Sequence, residues 1–397
     1  MRIVLLLTAG VDRPIGARYL PICAELVRRG HQVRILALHP DLPNCPQRRF
    51  TRDGIEVWYV GQMHARKQSS LPSRFSPLEL LWVLITSTLG MIWGILRSPA
   101  DVYHLGKPQP VNGLAALIGV MLLRRQRFYV DCDDDEVLSN RLTAKWQRAV
   151  FGFWQWLLPR LAAGVTVNTQ FLAERMRQAN LERVAYVPNG ARFVQLTDAP
   201  VRDALRRALG LEQRPVIAYA GTLALQNHPV DLLIAAFAIV AERLPNAVLL
   251  MIGGGEDLPL LRERVAQLGL ADRVYFTGQL PRSVLPNYLA LADVSVDPVR
   301  DDVVARARSP LKIFESMVLG VPVVTADVGD RAAMLDHGRA GVLVPADDHV
   351  ALAEALIDVL RDRARLEALS KAAIEHSKSY TWDQLVSHWE ALYHSSP

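Results

Sequence analysis

The stretch Ser309-Pro310-Leu311-Lys312-Ile313-Phe314-Glu315-Ser316-Met317, continued by Gly320-Val321-Pro322-Val323-Val324, decides how this chain is read. Lys312 and Glu315 stand three residues apart at the start of an apolar helical pattern, so they share one helix face. The Gly-Val-Pro break then ends the helix and a short β-branched run begins a strand. In a chain that alternates strand and helix, this order sets the Lys–Glu face at the carboxyl edge of the sheet, where open α/β folds bind ligands. A cation and a carboxylate placed there can hold a nucleotide, Lys312 on the diphosphate and Glu315 on the ribose hydroxyls. A solvated Lys–Glu pair on an ordinary helix satisfies the same pattern.

Working outward, strand-like runs alternate with helical ones. In the first half strands are expected at Ile3–Leu7, Gln32–Leu38, Ile55–Val60, Val102–His104, Phe128–Val130, Gly164–Val167 and Val184–Val187. A helix is expected over 17–29, ended by Gly30. After Pro188-Asn189-Gly190 the alternation restarts with Val216–Ala220, Ala247–Ile252, Val274–Thr277, Val294–Val296, Val323–Thr325 and Gly341–Val344. The fold class is therefore α/β, with two Rossmann-like, doubly wound domains. The expected bounds are 1–190, 191–375 and a C-terminal helix within 376–397, where Trp382, Leu385, Trp389 and Leu392 recur at helical spacing.

The 397 residues suit two domains better than one core. Half the residues are apolar, 21% are charged and the net charge is +5. The cations form short scattered groups rather than a basic helix interleaved with aromatics, which excludes a nucleic-acid partner. A mild basic excess suits a phosphorylated substrate or anionic lipid headgroups. Cys23, Cys45 and Cys132 lack metal-ligand spacing and read as reduced thiols of a cytoplasmic chain. The opening Met1–Leu7 is too short an apolar run for a leader and reads as a buried strand. Leu80–Leu96 holds seventeen uncharged residues, including Trp82 and Trp93. It reads first as a buried helix of the first domain, then as an interfacial helix, and last as a membrane span. With Trp154 and Trp156 it makes peripheral contact with an anionic membrane, at its inner face, a second expectation.

The 309–324 stretch resembles the sugar-nucleotide site of glycosyltransferase family four, retaining transferases of the GT-B fold. Six further motifs stand in that family's order: Val187-Pro188-Asn189-Gly190, Tyr219-Ala220-Gly221-Thr222-Leu223, Ile252-Gly253-Gly254-Gly255-Glu256, Val274-Tyr275-Phe276-Thr277-Gly278, Ala292-Asp293-Val294-Ser295-Val296-Asp297-Pro298 and Gly341-Val342-Leu343-Val344-Pro345. The resemblance implies a hexose donor carried on a nucleoside diphosphate, a saccharide or lipid-linked acceptor, no metal and no cofactor. It implies donor-binding roles for Gly16, Gly221, Thr222, Gly253, Gly255, Leu280, Arg308, Lys312, Glu315 and Gly329. It also implies that His104, matching an Asp-x-x-His pattern, turns its imidazole to the donor sugar, so that His104, Lys312 and Glu315 form the catalytic set. In that family the tail helix crosses back onto the first domain.

Three positions depart from the family pattern. Thr222 and Asn227 stand where the family has a phosphate-binding arginine and lysine, and Ala307 replaces a sugar-contacting glutamate. Arg306 or Arg308 can restore the charge, and Asp297, Asp301 or Asp302 the carboxylate. The run Asp131-Cys132-Asp133-Asp134-Asp135-Glu136 crowds five carboxylates into six residues after a strand. Asp133 and Asp134 are acceptor-side candidates; helix capping and salt bridges to cations such as Arg141 and Lys145 explain the run equally well. Two other readings stay open: a catalytically degenerate nucleotide- or sugar-binding partner protein, and a sugar-nucleotide epimerase, against which Ala307 argues.

Overall fold

The computed structural model describes residues 1–64, 66–68, 71–73, 75–140, 142, 144–191, 196 and 199–394. The chain divides into two compact units. Unit 1 holds Met1–Pro188 and the helix Trp382–His394; unit 2 holds Asn189–Thr381.

Unit 1 contains β1 (Arg2–Leu7), β2 (Gln32–His39), β3 (Arg49–Arg52), β4 (Ile55–Gln62), the separate antiparallel pair β5 (Arg66–Gln68) and β6 (Leu71–Ser73), then β7 (Val102–Gly106), β8 (Tyr129–Cys132), β9 (Gly164–Val167) and β10 (Val184–Tyr186). Its main sheet runs β10-β9-β8-β7-β1-β2-β4-β3. All pairings are parallel except the edge pair of β3 and β4. Arg49–Arg52 is a strand the sequence pattern does not announce, since one edge strand carrying three exposed residues shows no apolar alternation. The order reverses between β1 and β7.

Unit 2 contains β11 (Val216–Ala220), β12 (Val248–Ile252), β13 (Val274–Gly278), β14 (Val294–Asp297), β15 (Val323–Ala326) and β16 (Gly341–Val344). They form an all-parallel sheet in the order β13-β12-β11-β14-β15-β16. This is a doubly wound Rossmann order, and its switch point lies between β11 and β14. Strands such as Val216–Ala220 and Val248–Ile252 are buried throughout, as sheets covered on both faces require. Helix Val230–Arg243 seals one face with Leu233, Phe237 and Val240.

The helix Trp382–His394 belongs to unit 1 because its Trp389 enters that unit's core. Trp389 has no exposed surface, stacks on His104 at 4.3 Å and meets Tyr19 edge-on at 6.4 Å. Arg29 and His31 hold the helix from outside, at 2.8 and 2.6 Å from the Glu390 carboxylate.

The expectation of a buried helix over 80–96 holds for one side of it only. The helix Pro77–Arg97 buries Ser87, Met91, Gly94 and Ile95 against β2 and β4. A Cβ on Gly90 would lie 2.0 Å from the Val60 carbonyl oxygen, so the backbones nearly touch. Its opposite side presents Leu78, Trp82, Ile85, Leu89, Trp93 and Leu96, all exposed and spaced as one helical stripe. The helix is apolar on both sides, one packed and one bare.

Candidate active site

At the switch point of unit 2, β11 and β14 end side by side and deliver Tyr219, Gly221 and Asp297 to one place. Pro310 starts the helix Leu311–Val318, which packs on β14 and β15 and brings Lys312 to the same place. Lys312 Nζ lies 3.1 Å from Asp297 Oδ1 and 4.3 Å from the centre of the Tyr219 ring. Arg331 Nε donates to the other oxygen of Asp297 at 2.8 Å, and Nη1 of that guanidinium donates to the carbonyls of Ala305 and Val328. Burial opposes the charge on Lys312, yet the Tyr219 phenol and the Asp297 carboxylate hold its pKa above the ordinary lysine value. Burial likewise favours a neutral Asp297, but Lys312 and Arg331 pull it down to about 2.

One more cation and a neutral imidazole gather here. Arg308 Nη1 donates to the Asn227 carbonyl at 3.0 Å, so a guanidinium stands beside the position where the family pattern has a lysine. Arg306, the other candidate for that role, pairs with Asp301 on the surface at 2.7 Å. His228 is pushed down to about 3, first by burial and then by Lys312 and Arg308, and is therefore neutral at physiological pH. Nothing in the sequence pattern singles out His228; its place is set by the turn after β11.

Gly253 and Gly255 are needed for close backbone packing. Gly253 sits at φ +146°, and a Cβ there would lie 1.9 Å from the Gly221 oxygen; one on Gly255 would lie 2.1 Å from the Leu223 oxygen. The Gly221 amide donates to the Ile252 oxygen, and Leu223 to Gly254. The amide of Gly221 is thus already used within the fold. Thr222 is exposed beside it. Gly329, at φ +61°, packs on the backbone of Arg306, and Leu280 lies partly buried against the cluster of Ile252 and Leu289. Glu315, one turn from Lys312, stays partly accessible 3.8 Å from Arg282; burial raises its pKa although Arg282 and Lys312 oppose this. Ala307 is buried without a polar group. Of the proposed replacement carboxylates, Asp297 alone reaches Lys312. Asp301 is taken by Arg306, and Asp302 caps a helix by accepting from the Ala305 amide at 2.7 Å.

In unit 1 the acidic run follows β8 at the carboxyl edge. Asp131 is buried and accepts from Arg18 at 2.8 and 3.0 Å, from Tyr19 at 2.7 Å and from Thr166 at 2.6 Å. Lys107, in a left-handed turn at φ +84°, reaches Asp133 at 2.8 Å, Glu136 at 3.3 Å and Asp134 at 3.9 Å. Asp135 pairs with Arg175 at 2.8 Å and caps the amides of Val137 and Leu138. The cations that neutralise the run are therefore Arg18, Lys107 and Arg175; Arg141 lies outside the described residues. No group of three metal-ligating side chains occurs among the described residues. Asp133 Oδ1 makes its ion pair without hydrogen-bond geometry, and Asn168 Oδ1, also buried, has no donor; Asn168 Nδ2 donates to the Asp133 carbonyl at 2.7 Å.

His104 requires a correction. It has no exposed surface; Nδ1 meets the Tyr393 hydroxyl at 2.8 Å, Nε2 meets Thr166 Oγ1 at 3.3 Å, and Trp389 covers its ring. No ring nitrogen is left for a sugar. Burial, with Arg18 adding to it, holds the imidazole neutral. Gly16 opens the helix Gly16–Arg28, where a Cβ would lie 1.8 Å from the Val11 oxygen.

Two family models match the chain: "Glycosyl transferase 4-like domain" over residues 15–190 and "Glycosyl transferases group 1" over 214–362. The chain belongs to glycosyltransferase family four. Among the relatives of this family-four chain is the D-inositol 3-phosphate glycosyltransferase of Jonesia denitrificans, 31% identical over 246 residues, which are 58% of this chain and 57% of that protein. The chain thus spans little more than half the length of that relative. Its GT-B fold is shared with the sucrose-phosphate synthase of Thermosynechococcus elongatus, with a TM-score of 0.78 at 19% identity over 99% of this chain and 98% of that one. It is shared too with Anabaena HepE in complex with UDP-glucose, with a TM-score of 0.73 at 19% identity over 99% of this chain and 98% of that one.

Proposed function

We propose that this chain transfers a hexosyl group from a nucleoside diphosphate sugar to a saccharide or lipid-linked acceptor, with retention of configuration and without a metal, on the cytoplasmic side of a membrane. The observation that carries this reading is the meeting of Lys312, Arg308 and neutral His228 at the switch point of unit 2, with Glu315 one turn along the Lys312 helix. Lys312 and Arg308 supply two positive charges for a diphosphate, and Glu315 accepts from ribose hydroxyls. The UDP-glucose bound by Anabaena HepE supports a nucleotide-sugar donor. In unit 1, the under-satisfied oxygens of Asp133 and Asn168 suit acceptor hydroxyls.

In the step proposed, the bond from the anomeric carbon to the diphosphate oxygen breaks as the acceptor oxygen bonds to that carbon on the same face. The acceptor proton passes to the departing diphosphate, whose growing charge Lys312 and Arg308 stabilise. Two cations on the leaving diphosphate, with Asp297 engaged by Lys312 and Arg331, favour this route over a covalent intermediate.

A panel of UDP-, GDP-, ADP- and dTDP-hexoses, incubated with the protein and glycan or polyprenyl-linked acceptors in EDTA, tests the reading. Nucleoside diphosphate release with glycosylated product is the expected result. Binding of one nucleotide without turnover on any acceptor would favour the second reading, a partner protein that holds a nucleotide sugar. The neutral Thr222 and Asn227 are the observation on its side.

A further inference from the structure

The bare stripe of Pro77–Arg97 is not isolated. The helical segments 110–123 and Lys145–Leu161 pack beside it in sequence, and Gly113 receives the Trp154 ring. They extend the apolar surface with Leu122, Trp146, Phe153 and Trp156, all exposed. Each helix is followed by a strand of one parallel array, so the three run the same way. Their amino ends lie at the carboxyl edge of the sheet and their carboxyl ends at the other.

The charge around this surface is predominantly positive. Arg97, Arg125, Arg127 and Arg160 stand at the carboxyl ends of the helices, Lys145 and Arg148 at an amino end, and none has a carboxylate partner among the described residues. Arg97 lies over Trp93 and Arg160 over Trp156, at 5.6 and 4.8 Å from the ring centres. Glu79, the acidic side chain of Pro77–Arg97, accepts from the Ser76 amide in a capping box.

We propose that this three-helix face of unit 1 lies on an anionic lipid bilayer, indoles at the headgroup level and the cations on the phosphates. Apolar burial and a polybasic rim are the two contributions that stable peripheral attachment requires. Small residues, Ser87, Gly90 and Gly94, let the helix approach the sheet closely, while Trp82, Leu89 and Trp93 face out. Ser87 Oγ donating to the Gln62 carbonyl at 2.7 Å fixes the helix to β4, so it rests on the membrane rather than crossing it. The same placement brings the acidic edge after β8 near the lipid surface, where a lipid-carried acceptor would enter. The proposal goes beyond the transferase reading, and its test needs no turnover.

Flotation of the intact protein with phosphatidylglycerol–phosphatidylcholine vesicles, with pure phosphatidylcholine as control, measures it. Binding only to the anionic vesicles, reversed by high salt, is expected. Trp82→Glu with Trp146→Glu should abolish flotation while leaving the thermal melting curve unchanged. Arg125→Gln with Arg127→Gln should weaken partitioning by about fivefold per cation. Absence of flotation, or flotation unaltered in both double variants, overturns the proposal. So does retention in the vesicles after an alkaline wash, which would mark a spanning helix, or a wild-type dimer that the glutamate variants dissociate.

Discussion

Lys312 Nζ stands 3.1 Å from Asp297 Oδ1 at the switch point of unit 2, so the cation that a diphosphate needs already has a buried anion beside it. Arg331 shares the carboxylate, which leaves two positive charges against one negative. In the function proposed above, this surplus positive charge is what an incoming phosphate meets.

Asp297→Asn removes the anion and strands two buried cations. A loss of about 3–5 kcal/mol in urea unfolding at neutral pH is expected. The wild-type carboxylate ionises at about 2 when folded, below its unfolded value of about 3.9. Its contribution is therefore full above about pH 4 and disappears as pH falls toward 2. The Asn variant should show a smaller decline across that window.

Lys312→Met keeps Asp297 paired with Arg331 and removes one phosphate contact. Calorimetric titration should show diphosphate affinity reduced by roughly tenfold to a hundredfold, for nucleotides and inorganic pyrophosphate alike. Unchanged affinity for both would remove Lys312 from the donor site.

Glu315→Gln separates sugar recognition from phosphate recognition. Affinity for nucleoside diphosphates should fall about tenfold while pyrophosphate binding is unaffected. Because burial raises the Glu315 pKa above its usual value, wild-type nucleoside affinity should also weaken on acidification earlier than an exposed glutamate would allow.

His104 stays neutral in the folded chain, whereas in the unfolded chain it gains a proton near pH 6.5. The unfolded state thus binds more protons below that pH, and stability should decline as pH drops. His104→Gln should flatten that decline. Trp389→Ala, which empties the space over the ring, should cost about 3–5 kcal/mol.

The parallel strands and their alternation with helices were readable because buried strands write themselves as β-branched runs, Val216–Ala220 being the plainest. The Lys312–Glu315 face was readable because its spacing is local. What escaped depends on distant pairings. Asp131 finds Arg18, 113 residues away, and His104 finds Tyr393, 289 away, and no spacing announces either. A histidine at a strand end reads the same whether it faces a sugar or an indole. Leu80–Leu96 misled in another way, since an apolar run does not say which of its sides is covered.

The helix Trp382–His394 closes unit 1 with residues synthesised after all of unit 2. Until it emerges from the ribosome, the pocket around His104 and Tyr19 has no Trp389 to fill it. Unit 2 can complete its own sheet from contiguous chain, so the order of maturation runs opposite to the order of translation. A release of the nascent chain at Thr381 would yield a finished unit 2 joined to an unfinished unit 1.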